Sequence, residues 1–146
     1  MRACALVLAL FAVASCGGGS PTSPSSNIPS VAGSYSGTAT LVLPESQLTI
    51  NCPATTSVTQ SGAVINLAPI ILGGNCGNSS IPFGQTTIDA TGALNSAGSS
   101  GTFNDPSCGT YTYTGSGGFF GREFRLSLTA TSPTCEDFNF TAVLVR

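Results

Sequence analysis

The sequence predicts an all-β domain of about eight antiparallel strands. Three observations carry this. Apolar and hydroxyl side chains alternate with period two over most of the chain beyond residue 30, the pattern of strands with one buried and one wetted face. No stretch there has helical spacing, and Thr, Ser, Val and Gly, all weak in helix interiors, are frequent throughout. The alternating runs also follow one another at the close spacing of sandwiches and small barrels. An antiparallel sheet packed on itself buries one face of each such strand.

The first strand carries Tyr35, Gly37, Ala39, Leu41 and Leu43 on one face and Ser34, Ser36, Thr38 and Thr40 on the other. Leu48 and Ile50 resume the pattern after a break at Pro44. Thr55 to Gln60 and Ala63 to Ala68 flank Ser61-Gly62, which predicts a hairpin. Ile70 to Leu72 ends at Gly73-Gly74, Thr86 to Ala90 alternates around Ile88, and Gly101 to Phe103 is a short candidate. Tyr111 and Tyr113 alternate with threonines and run into Gly115-Ser116-Gly117-Gly118, read here as a second hairpin turn. Phe124, Leu126, Leu128 and Ala130 form the next buried face, and Phe138, Phe140, Ala142 and Leu144 the last.

Residues 31–146 form one domain by length, with Cys52, Cys76, Cys108 and Cys135 inside it. An even number of widely spaced cysteines, with no histidine and no Cys-x-x-Cys pair, predicts two disulfides rather than a zinc site. Cys52 and Cys76 bracket the Ser61-Gly62 turn, and Cys108 and Cys135 bracket the Gly115–Gly118 stretch. Antiparallel pairing brings each pair together at the open end of a hairpin. Of the three possible connectivities, Cys52–Cys76 with Cys108–Cys135 is therefore expected.

This region carries Arg122, Arg125 and Arg146 against Glu45, Asp89, Asp105, Glu123, Glu136 and Asp137, with no lysine, histidine or tryptophan. A nucleic-acid partner requires a basic face, so that class is excluded. Catalysis is not expected. There is no histidine for general-base work, no lysine for Schiff-base chemistry and no activator beside any serine or threonine. No cofactor is implied.

The N-terminus identifies a route of export. Arg2 precedes an unbroken apolar run of twelve residues, Ala3 to Ala14, too short for a bilayer-spanning helix and suited to a secretory signal. The run ends in Val13-Ala14-Ser15-Cys16, an aliphatic residue, two small residues and a cysteine. This resembles the signal peptide and lipobox of bacterial lipoproteins. The resemblance implies removal of residues 1–15, lipidation of Cys16 with palmitate among its chains, and attachment to a membrane of the cell envelope. Residues 16–30 then read as a Gly/Ser/Pro tether with no charge and little apolar bulk. Gly17 stands where inner-membrane lipoproteins of this family typically carry aspartate, which implies the outer membrane.

A second, fainter resemblance concerns the fold. Gly33-Ser34-Tyr35 is similar to the Gly-x-Trp that opens the first strand of lipocalin-type barrels, with tyrosine in place of tryptophan. Arg146 falls where such barrels set an arginine near that aromatic. It implies a small up-and-down barrel, with an immunoglobulin-like sandwich as the alternative; the sandwich lacks its core tryptophan here. The expected function is an interaction or structural module held at the envelope by lipid, with a lipocalin-like carrier of an apolar ligand as the alternative. The partner would be an envelope protein, a polysaccharide or a small apolar ligand.

Two further sites are candidates. Phe119-Phe120, between Gly117-Gly118 and Gly121, is expected near a hairpin tip and offers a partner contact, set against the plainer reading that one ring caps the core. Asp105, Glu136 and Asp137 would be drawn to one end by a Cys108–Cys135 bridge and could hold calcium, set against the reading that they are exposed turn residues.

Overall fold

The computed structural model describes residues 27–146. The expected lipobox, Cys16 and most of the expected tether lie outside the described residues. Ten strands form: β1 (Gly33–Leu43), β2 (Leu48–Ser61), β3 (Val64–Leu67), β4 (Ile70–Leu72), β5 (Ser80–Ile81), β6 (Gln85–Thr87), β7 (Gly101–Asp105), β8 (Gly109–Phe120), β9 (Glu123–Thr131) and β10 (Phe138–Val145). Among the described residues there is no α-helix, only two short 3₁₀ turns.

All strands belong to one antiparallel sheet with the order β5-β4-β2-β1-β10-β9-β8-β7, in which β3 pairs with the C-terminal part of β2 and β6 pairs with β3. Strands adjacent in sequence are mostly adjacent in space, and β10 returns to pair with β1. This is an up-and-down barrel, nearly closed, and not a two-sheet sandwich. Alternation is strict on the long strands. Cys52, Ala54, Thr56 and Val58 of β2 point inward, as do Phe124, Leu126, Leu128 and Ala130 of β9 and Phe140, Ala142 and Leu144 of β10. Tyr35, Phe119, Phe124 and Phe140 are the largest buried side chains and fill the interior.

β2 is a single strand through Pro53, where two separate runs were expected. The Pro53 carbonyl accepts the Gly73 N–H at 2.8 Å, so its backbone polar edge faces the end of β4 rather than β1. The missing proline donor therefore breaks no ladder bond with β1. β2 serves two neighbours in turn, pairing with β3 at Val58↔Leu67 and with β4 at Ala54↔Leu72. Opposite the break between them, the buried Thr56 hydroxyl donates to the Ala68 carbonyl at 2.8 Å.

The second hairpin turn is displaced from the expected place. Gly115–Gly118 lie within β8, in register with Leu128 to Arg125 of β9. The chain reverses at Gly121-Arg122, where Gly121 has φ +66°. Gly62 has φ +62° at the corresponding place between β2 and β3. Both are two-residue loops with glycine first, the preference of type II′ hairpins. The strand glycines answer to close neighbours: a Cβ on Gly117 would lie 2.8 Å from Leu126 Cδ1 and 3.3 Å from Leu94 Cδ1.

The two ends of the barrel differ. At one end lie the chain entry at residues 27–32, the Gly62 and Gly121 turns, Asp89 and Arg146; this is the entry end. Val31 is fully buried there, and the Tyr35 hydroxyl donates to its carbonyl at 2.7 Å. Arg146 Nη1 donates to the carbonyls of Ser30 at 3.2 Å and Ala32 at 2.8 Å, and its stem packs where a Cβ on Gly33 would stand. The sheet closes at this end through bridges Ile88↔Leu94 and Ala93↔Gly118. At the far end lie the β1–β2, β7–β8 and β9–β10 loops, and there β5 and β7 remain unpaired sheet edges.

Candidate functional site: the cleft between β5 and β7

Both disulfides lie toward the far end, with the expected connectivity. Cys52–Cys76 has a Cα separation of 5.9 Å and Cys108–Cys135 one of 5.4 Å. The first ties β2 to the loop that leads into β5. The second ties the β7–β8 turn to the β9–β10 loop. Each lip of the gap between β5 and β7 is thus held by its own covalent link. The Cys108 lip is reinforced by the hydroxyls of Ser132 and Thr134, which donate to the Cys108 carbonyl.

Between these lips is an open cleft of about 420 Å³. Its floor is apolar: Leu41 from β1, Leu72 from β4, Ile81 from β5, Phe103 from β7, Tyr111 from β8 and Phe138 from β10. All six are inward positions, so period two delivers them to one place once the sheet curls. The rings form a cluster. Phe103 stacks on Tyr111 at 5.1 Å, and Phe138 meets Tyr111 edge-on at 5.2 Å. The rim is polar, with Asn78, Ser79 and Ser80 on one side and Asn104 and Asp105 on the other. Deeper in, the Tyr113 hydroxyl donates to the Pro82 carbonyl at 3.1 Å and spans the gap.

Tyr111 donates from its hydroxyl to the Glu136 carbonyl at 3.2 Å. Burial pushes its pKa above the ordinary phenol value, and the carboxylates of Asp105, Asp137 and Glu136 push the same way. The ring forms part of the cleft floor. Among the described residues every buried side-chain nitrogen and oxygen has a hydrogen-bond partner. The cleft therefore offers apolar surface and strand edges, with no buried polar group awaiting a ligand.

The three acids do not form the expected cation site. Asp105 Oδ1 accepts the N–H groups of Ser107 at 2.8 Å and Cys108 at 2.9 Å. Glu136 turns away to accept the Ser46 N–H at 2.6 Å and the Ser46 hydroxyl. Asp137 Oδ1 accepts the Ser132 N–H at 3.0 Å. Asp105 and Asp137 each close their own loop and Glu136 ties the β9–β10 loop to the β1–β2 loop, and among the described residues no group of His, Cys, Asp or Glu converges to hold a metal ion.

The aromatic pair is split. Phe119 is 2% exposed, stacked on Phe124 at 4.7 Å and edge-on to Tyr35 at 5.7 Å. It is core and cannot meet a partner. Phe120 is 57% exposed, with the Arg125 guanidinium 5.8 Å from its ring centre. The strand continues through both residues, so adjacent side chains take opposite faces. Sequence reasoning did not single out Phe103, Tyr111 or Phe138 as a site. Their shared signal was inward parity near Cys108 and Cys135.

No family model, no curated protein and no solved structure matches the chain.

Proposed function

We propose that this protein is a lipid-anchored module of the bacterial cell envelope, held through Cys16 at the outer membrane, that binds a partner non-catalytically in the cleft between β5 and β7. One observation carries the reading: two unpaired strand edges face each other across an aromatic floor, with a disulfide bracing each lip. Strand edges accept an extended chain through backbone hydrogen bonds, and apolar pockets between them select side chains. The partner fitted to this site is an extended segment of an envelope protein bearing an aromatic or aliphatic side chain.

The carrier reading draws support from the cleft volume, which lies within the range of small-ligand pockets. The filled interior weighs against it. Rings occupy the space a carrier would keep for cargo, and the remaining cleft is open on its side.

A photo-crosslinking residue at Asn104 tests this in cells. It should yield a discrete protein adduct that disappears when Ser80→Trp fills the opposite lip, while a probe at Thr129 yields none. Extractable lipid in purified protein, displaced by Ser80→Trp and without any protein adduct, would favour the carrier. Palmitate labelling that is lost in Cys16→Ser tests the anchor separately.

A further inference from the structure

We infer that the entry end of the barrel rests on the bilayer surface through the outer wall of β8, β9 and β10, with Phe120, Val143 and Val145 against the lipid. This builds on the anchored reading above and adds an orientation: the cleft faces away from the membrane.

The apolar residues are placed for it. Val143 is 48% and Val145 51% exposed beside Phe120. Register sets Phe120, Glu123 and Val145 in one row across the sheet, and Arg125 and Val143 in the next. A shallow depression of about 470 Å³ lies among Phe120, Arg125, Ser127 and Val143. Rows nearer the far end carry Thr141 with Ser127, then Asn139 with Thr129, so the exposed apolar surface of this wall is confined to the entry end.

Charge is sorted the same way. Arg122, Arg125 and Arg146 all lie at the entry end, where Glu123 is ion-paired with Arg125 at 2.7 Å and Asp89 is the other acidic side chain. Glu45, Asp105, Glu136 and Asp137 lie at the far end without a base. A domain of negative net charge thus keeps every described arginine on the side an anionic headgroup layer would attract, and turns most of its acids away from it.

The chain entry names the occupant. Arg146 follows Val145 directly and binds the carbonyls of Ser30 and Ala32, so the segment from Cys16 joins the domain at the edge of this patch. Ten residues separate Cys16 from Asn27. Even fully extended they span at most about 40 Å, so a lipid on Cys16 keeps the domain at the bilayer with the entry end as its point of attachment, and the apolar residues and the arginines single out this wall of it.

The absence of tryptophan makes the test direct. The chain from Cys16 onward, with its four other cysteines paired, is coupled through the Cys16 thiol to a maleimide lipid in phosphatidylethanolamine–phosphatidylglycerol vesicles. This supplies the anchor chemically, so the outcome is independent of whether cells lipidate Cys16, which palmitate labelling decides. Phe120→Trp and, as a second site, Val145→Trp should emit at shorter wavelength on the vesicles and be quenched by brominated acyl chains, as for a ring about 5–10 Å into the headgroup–acyl boundary. Leu48→Trp, at the far end and 47% exposed in the parent, should be neither shifted nor quenched. Equal behaviour of all three, or quenching at Leu48→Trp alone, overturns the inference. A shift at Phe120→Trp that needs no vesicles and grows with protein concentration also overturns it, by assigning the patch to a second copy of the chain.

Discussion

Replacing Phe119 and Phe120 one at a time tests the strand register of the whole barrel. Phe119 is buried against Phe124 and Tyr35, whereas Phe120 stands on the outer face with Arg125 over its ring. Removing a core phenylalanine to alanine costs about 3–5 kcal/mol, and loss of two ordered aromatic neighbours puts Phe119→Ala in the upper half of that range. Phe120→Ala forfeits an exposed cation–π contact and should cost under about 1 kcal/mol. For a domain of this size about 4 °C of Tm accompanies each kcal/mol, so the two variants should melt about 16–20 °C and less than about 4 °C below the parent. The assay is thermal unfolding followed by far-ultraviolet circular dichroism under oxidising conditions, with urea titration to check that the m-value is unchanged. Equal costs, or a reversed order, would refute the reasoning. A one-residue slip of β8 exchanges the faces of both rings and of every other side chain on the strand.

Three other outcomes follow from the same contacts. Non-reducing peptide maps should show only Cys52–Cys76 and Cys108–Cys135, and replacing either pair with alanines should lower stability by about 3–4 kcal/mol, as loops of 24 and 27 residues are released; a Cys52–Cys108 peptide would contradict the fold. The Thr91 hydroxyl and the N–H groups of Ala93 and Thr91 hold Asp89 below the ordinary carboxylate range, and the Ser46 hydroxyl and N–H do the same for Glu136. A depressed folded pKa stabilises above the unfolded value of about 4 and is lost as pH falls through the folded one, so urea midpoints should be level near neutrality and drop in acid. Asp89→Asn with Glu136→Gln should flatten that drop, and an unchanged acid slope would remove these two groups from the explanation. Burial raises Tyr35, with Arg146 opposing, and raises Tyr111 and Tyr113, so absorbance titration of the native protein should show tyrosinate only above the usual phenol pKa of about 10. Because these pKa values are raised on folding, their contribution to stability is complete below about 10 and lost above it; ordinary titration in the folded state would place the rings in water.

Local chemistry made the barrel's parts legible. Period two in Tyr35–Leu43, Phe124–Ala130 and Phe138–Leu144 is a property of neighbouring residues, and it fixes which side chains go inward whatever the strand pairs with. Cysteine parity and spacing were enough for the disulfides, because a hairpin joins its own ends before it meets anything else. The glycines of β8 were not legible. Gly115 and Gly117 read as a turn, and only the β9 backbone at Ser127 and Arg125, with Leu126, Leu128 and Leu94, crowding against that strand shows why a side chain is absent there. Nor could spacing show that Asp105, Glu136 and Asp137 are each taken by a different backbone N–H, since carboxylates gathered at one end of a domain converge only if the surrounding N–H groups leave them free. The cleft belongs wholly to the tertiary structure. Its six floor residues come from six strands spread between Leu41 and Phe138, and it exists because β5 and β7 stop short of pairing. Alternation determines the inward face of each strand, but where a curled sheet fails to close depends on the lengths and staggers of all its strands together.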